Sequence, residues 1–303
     1  AVEWRYIFSS GSSTYAEITG GTIHGTASND DQNFNAIPIG FTFTCDGVAY
    51  TNVSIQSNGY IAMGNAVTSS YTPLSTGTTN NVIAAFGRDI QGNGTTSELM
   101  SLMEGTEPNR MCTVQWKDYK RYGSGYVGDS LDFQIKLHEA TGEIQIVYGG
   151  FTTVFNAAPP TVQVGLRGAS NADFNNLMTD STHLWDDPLA GTANTSAMTM
   201  TDVIFPASGQ TYTWSPVSGV FVSDDQDRGV CPGGTVTYWF TINNVTGNPD
   251  TFDLTYSGAW PITGPAATDE IPDEGSQQIQ VTVDVPWTAT DFEVQPFTVT
   301  ATD

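Results

Sequence analysis

Basic side chains are what this sequence most lacks. Its 303 residues hold 9 Lys and Arg against 32 Asp and Glu, a formal charge of −23 with a pI near 4.1. Charged residues of both signs amount to 14%, where roughly 25% is usual. The acidity therefore comes from missing bases, three Lys and six Arg, rather than from surplus acid. Without a basic footprint a chain cannot neutralise phosphates, which excludes nucleic-acid binding. The same lack speaks against an anionic membrane surface. No stretch approaches the roughly 18 apolar residues of a membrane-spanning helix. Three cysteines are too few for a disulfide scaffold and lack metal-ligand spacing. Helical periodicity is scarce as well; the best candidates are 97–104, which reads equally as a strand, and 173–178.

Period two is what the chain has instead. Val2, Trp4, Tyr6 and Phe8 alternate with Glu3, Arg5 and Ile7. The same rhythm runs through 41–45, 111–116, 131–137 and 144–148, and it is the pleat of half-buried strands. Ala140-Thr141-Gly142-Glu143 reads as a hairpin turn between the last two. Aromatics at 11% supply enough apolar surface for packed cores, and the length suggests two domains. The fold class expected is all-β: a large two-sheet, jelly-roll-like sandwich over 1–214 and a smaller immunoglobulin-like Greek-key sandwich over 215–303. A chain that starts at Ala1 is what removal of a secretory leader, or shortening of a longer protein, would leave.

Two resemblances follow from ordered motifs. The first runs through 15–25 (YAEITGGTIHG), Asn29-Asp30-Asp31, 37–43 (IPIGFTF), 47–50 (GVAY), 53–64 (VSIQSNGYIAMG), 83–89 (IAAFGRD), 114–116 (VQW) and 133–148 (FQIKLHEATGEIQIVY). It resembles the large β-sandwich domain of secreted bacterial surface proteins and is distantly similar to nidogen-type extracellular domains. The second covers 220–302, where 231–238 (CPGGTVTY), 243–254, Trp260-Pro261 and 281–286 (VTVDVP) are similar to bacterial immunoglobulin-like surface repeats. That family often has Asp where this chain has Gly234. Both resemblances imply a non-catalytic protein outside the cell or on its surface, and neither supplies catalytic residues.

Candidate sites are few. Asp30 and Asp31 in one turn, and Asp224, Asp225 and Asp227 in another, are oxygen clusters of the kind that ligate calcium; acidic turns held by backbone hydrogen bonds read the same way. Cys45 and Cys112 lie on separate strands, either paired as a disulfide or packed as buried thiols. Lys117, Tyr119, Lys120, Arg121 and Tyr122 read either as an exposed hairpin arm or as a local basic and aromatic patch fit for sugar or for an acidic surface. No HExxH, no GxSxG and no phosphate loop is present, and the acidic residues sit in no recognisable catalytic motif. The function expected is structural rather than enzymatic. Copies would assemble into a filament, sheath or layer through the terminal strands, carrying Val2, Trp4, Tyr6 and Phe8 at one end and Phe292, Val294 and Phe297 at the other. The alternative is a lectin-like adhesin binding glycan or another surface protein, and a secreted hydrolase is the remote third.

Overall fold

The computed structural model describes residues 1–64, 66–155, 161–223 and 226–303. It is an all-β protein of antiparallel sheets packed as sandwiches, in two compact units, Ala1–Pro216 and Val217–Asp303.

The larger unit has two eight-stranded sheets. The first runs in the order Tyr6–Ser12, Gln210–Pro216, Ile144–Thr152, Ser130–His138, Met111–Arg121, Glu98–Glu104, Thr22–Ile23, with Ile90–Gly92 also on Met111–Arg121. The second runs Leu189–Ala190, Phe174–Met178, Thr161–Arg167, Val82–Gly87, Tyr60–Met63, Val48–Gln56, Asn33–Cys45, with Met198–Thr199 on Thr161–Arg167. The core lies between them. Phe133 stacks on Trp116 at 5.1 Å and on Phe86 of the opposite sheet at 5.6 Å. The Tyr148 hydroxyl donates to the Ala85 carbonyl at 2.8 Å, satisfying a polar atom that would be costly to bury alone. The hairpin at 140–143 forms, with Gly142 in the left-handed region at φ 66°.

Two strands of the second sheet are buried on both faces, which is why 60–63 and 82–87 read as continuous apolar runs. The segment 66–80 covers their outer side, where Tyr60, Ala62, Val67, Leu74, Val82 and Ala84 make a second small core. Arg167, 5% exposed, pins that cover: it donates to the Pro73 carbonyl at 3.2 Å and to Asn80 Oδ1 at 3.0 Å. Gln163 Oε1 accepts from the Leu74 amide at 2.8 Å.

Several expectations change. Of the two helix candidates, 97–104 takes its strand reading as Glu98–Glu104, and 173–178 is the strand Phe174–Met178 rather than a helix. The N-terminal alternation does not make one strand either. Val2–Arg5 is a single helical turn, and only Tyr6–Ser12 is extended. The Val2 amide donates to Asp173 and the Ala1 ammonium lies 3.1 Å from Asp46. Val2 and Tyr6 enter the unit's own core, while Trp4 is exposed and Phe8 packs on Trp214. At the other end, strand 292–302 shortens to Phe297–Thr302, because Pro296 has no N–H for a ladder. Phe292 and Val294 stand fully in solvent, and Phe297 is half-buried.

The smaller unit packs Thr235–Asn244 and Ser276–Asp284 of a four-stranded sheet over Asp253–Gly258 and Phe297–Thr302. Val236, Tyr238, Phe240 and Ile242 alternate inward from the first of these.

Cys45 and Cys112 form no disulfide. Both thiols are free and buried in the larger core, and burial pushes each up to about 12. A thiol held neutral in a dry core is a poor nucleophile. Cys231 is free and exposed. Titration with a thiol reagent at pH 8 is therefore expected to find one reactive cysteine in the native protein and three after denaturation.

Candidate functional site

Three motifs far apart in sequence meet at one turn. Ser57, Asn58 and Gly59 link Val48–Gln56 to Tyr60–Met63. Gly59 is required there: its φ is 81°, and a Cβ would lie 2.3 Å from the Phe86 carbonyl oxygen. The Ser57 carbonyl accepts from the Trp116 indole at 3.1 Å, and Ser57 Oγ accepts from the Gln32 amide at 2.9 Å. Asn58, fully buried, takes the Ile90 amide on Oδ1 at 2.9 Å and donates through Nδ2 to Asp31 Oδ1 at 2.8 Å. The turn thus grips 29–32 on one side and 89–90 on the other.

The result is a cluster of Asp30, Asp31 and Asp89, with one carboxylate oxygen of each within 4.8 Å of the others. Asn29 shapes the approach: buried, it accepts from the Thr26 amide and donates to the His24 carbonyl, both at 2.8 Å. Asp31 has φ 53°, a left-handed backbone that Asp tolerates better than most residues. Its carboxylate also accepts from Ser69 at 2.7 Å and Tyr71 at 3.1 Å. Burial pulls the Asp31 carboxyl up, but the hydrogen bonds from Ser69, Asn58 and Tyr71 outweigh it and hold the group below its ordinary range. Asp89 goes the other way. Burial first, then the charges of Asp31 and Asp30, push it up to about 6, against the pull of Arg88. Burial and Asp31 raise Asp30 too.

Asp30 Oδ1 and Asp89 Oδ1 are buried and, among the described residues, accept no hydrogen bond. Three carboxylates so close repel one another, and either a proton on Asp89 or a cation relieves the repulsion. The donor atoms are all hard oxygens, a set that fits calcium rather than zinc. Asp30, Asp31 and Asp89 would hold such an ion, neutralising charge and locking the 29–32 turn onto the Ser57–Asn58 turn.

The family follows from a match over this same unit. Residues 5–216 fit the family described as NIDO related. The chain belongs to the NIDO-related family. The match supports the distant likeness to nidogen-type domains, and the NIDO-related domain is a module of extracellular type. No curated protein and no solved structure matches the chain. No helix among the described residues is long and apolar enough to cross a membrane.

Other residues singled out from sequence are dispersed. The basic and aromatic patch does not exist on the NIDO-related domain, because strand parity turns half of it inward. Tyr119 and Arg121 are buried, and Arg121 pairs with buried Asp129 at 2.5 Å and 2.9 Å beneath the Tyr126 ring. Lys117 pairs with Glu17; Lys120 is half-buried and Tyr122 exposed. Trp185, a loop tryptophan not among those candidates, is buried with its indole N–H on the Thr199 carbonyl and offers no stacking face for sugar. Asp227 is exposed in the smaller unit, and Asp224 and Asp225 lie outside the described residues. Asp89 is the member sequence reasoning missed. It sat inside a quoted motif (FGRD), and only the pairing of the strand that follows it with the Asn29–Asp31 turn brings it to the other two.

A raised carboxyl costs the fold its charged form, so the cost is present above pH 6 and fades as pH falls toward the unfolded value near 4. Asp89→Asn should raise the thermal midpoint by a few degrees at pH 7 and have no effect at pH 4. Calcium at tenfold excess over its Kd should stabilise the parent by roughly 1.4 kcal/mol and leave Asp89→Asn unmoved. Scanning calorimetry over pH and calcium reads both.

Proposed function

We propose that the chain is a non-enzymatic extracellular structural protein whose copies join by β-strand addition into a filament, sheath or layer. One observation carries this reading. Tyr6–Ser12 is an edge strand of the larger unit, paired only with Gln210–Pro216 among the described residues. It is seven residues long, uncharged, free of proline, and its register runs unbroken from Tyr6 opposite Pro216 to Ser12 opposite Gln210. Natural sheets blunt such edges with short strands, lysines, prolines or bulges. This edge has none of those devices, and Ile7 stands 59% exposed on its outer face.

Strand addition fits a self-assembling module for a second reason. Main-chain hydrogen bonds supply the affinity, so two copies of an acidic protein can pair without opposite charges. An interface that does not close on itself propagates.

Sedimentation should show oligomers whose share rises with salt or calcium, since both screen the copies' mutual repulsion. Ile7→Lys should weaken association roughly tenfold, about 1.4 kcal/mol, with the thermal midpoint unchanged. Monomers at every concentration and salt, in solution and by electron microscopy of native material, would end this reading.

A further inference from the structure

Strand parity gives the smaller unit a face that its core does not use. Val236, Tyr238, Phe240 and Ile242 of Thr235–Asn244, and Ile279, Val281 and Val283 of Ser276–Asp284, belong to the core. Successive side chains of a strand leave on opposite sides, so the residues between them stand on the other face of the same sheet. Register sets them in cross-strand pairs: Thr241 opposite Gln278, Trp239 opposite Gln280, Thr237 opposite Thr282. Such neighbours lie about 5 Å apart across a pair and about 7 Å apart along a strand.

The members of this lattice are amides and hydroxyls except for one tryptophan. Trp239 is 44% exposed, Gln278 and Gln280 are exposed, and Thr237, Thr241 and Thr282 are half-buried. Among the described residues, the side chains of Thr237, Thr241, Gln278 and Gln280 and the Trp239 indole N–H make no hydrogen bond. Thr282 donates to the Thr263 carbonyl at a long 3.4 Å. No charge interrupts the face: residues 235–244 and 276–283 contain no Asp, Glu, Lys or Arg, although residues 217–303 hold thirteen Asp and Glu. Asp284 follows at the rim, where it accepts from Thr235 Oγ1 at 2.7 Å.

What can cover this face follows from what it must satisfy. A nucleic acid finds no cation on it. A packed protein interface centred on Trp239 would bury the surrounding amides and hydroxyls against apolar atoms, at a cost for each one left unpaired. A pyranose ring answers both halves of the face. Its C–H side is apolar and flat enough to lie on an indole. Its equatorial hydroxyls donate and accept hydrogen bonds at the ring's edge, where Thr and Gln stand. The row from Thr237 to Thr241 runs about 14 Å, room for more than one ring in line.

We propose that this sheet face is a platform for a neutral polysaccharide. One ring stacks on Trp239, and the hydroxyls of that ring and the next bond with Gln280, Gln278, Thr237 and Thr241. The platform is on the smaller unit and the Tyr6–Ser12 edge on the larger, so glycan binding and strand addition stand or fall separately.

The test is affinity electrophoresis of the full chain in native gels cast with a soluble mixed-linkage glucan, with a galactomannan, or with alginate, a polymer of anionic uronic acids. At least one neutral polysaccharide should retard the chain, and alginate should not. Trp239→Ala should weaken binding roughly tenfold or more, as loss of an aromatic anchor does, while Trp239→Phe, which keeps a flat ring, should retain most of it. Gln280→Ala should weaken it about threefold, the scale of one neutral hydrogen bond. Trp4→Ala removes a tryptophan of similar exposure, 42%, from the larger unit and should change nothing. Free migration in both neutral gels overturns the proposal, as does equal loss of binding in Trp4→Ala and Trp239→Ala. Retardation by alginate that matches the neutral gels does the same. So does a fall in the oligomers of sugar-free Trp239→Ala, which would mean that the face packs on a second copy.

Discussion

The Trp116 indole ties the core of the larger unit to its acidic cluster. Its ring face stacks on Phe133, and through Phe133 it reaches Phe86 on the opposing sheet. Its N–H holds the Ser57 carbonyl. One side chain therefore fixes the spacing of the sheets and the seat of the turn that carries Asn58. Truncating a buried aromatic typically costs about 3–5 kcal/mol, and each aromatic pair adds about 0.5–1.5 kcal/mol beyond its burial. Asn58 then converts that rigidity into position, with Ile90 on one end of its amide and Asp31 on the other. The carboxylates are close because the core beneath them leaves the turn no other place.

Alternation made much of the fold legible. The strands at 111–121, 130–138 and 144–152 send apolar side chains to the core and polar ones to the other side, so the pleat is visible in the letters, even where that other side is covered and Thr113, Gln115 and Gln134 are buried. Legibility failed where one of those conditions was absent. At 60–63 and 82–87 both faces are covered, and period two vanishes. At the N-terminus the pattern was present, but Asp46 and Asp173 hold the first residues in a helical turn. The segment 117–122 looked exposed because it is rich in charge, yet every second residue of a strand points inward. Arg121 does so with Asp129 as its partner. The acidic cluster was half visible, as Asp30 and Asp31. Its third member arrives through strand pairing, with Asp30 bridged to Gln91, and no local pattern announces a contact of that range.

Four of the nine Lys and Arg side chains are paired with acids inside the larger unit. Arg5 and the Ala1 ammonium sit at Asp46, Arg110 is paired with Glu139, Lys117 with Glu17 and Arg121 with Asp129. Each pair cancels an acid close at hand, so little positive potential reaches solvent. Seen from a distance the protein is nearly pure anion. Such a field keeps single copies soluble and apart. It leaves lasting contact to forces that ignore net charge, above all backbone pairing and apolar burial.

The Arg167 pin on the 66–80 cover has a further consequence for durability. Proteases that cut beside Lys or Arg need the residue in an extended, accessible stretch, and such cleavage concentrates at exposed loop tips. Here Arg5, Arg121 and Arg167 are buried, while Arg110 and Lys117 are engaged in ion pairs. The 66–80 cover itself contains no Lys or Arg, and the residue that fastens it, Arg167, stands buried on a neighbouring strand. A chain that carries a module of extracellular type, with nine such residues in all, presents trypsin-like enzymes with few places to begin.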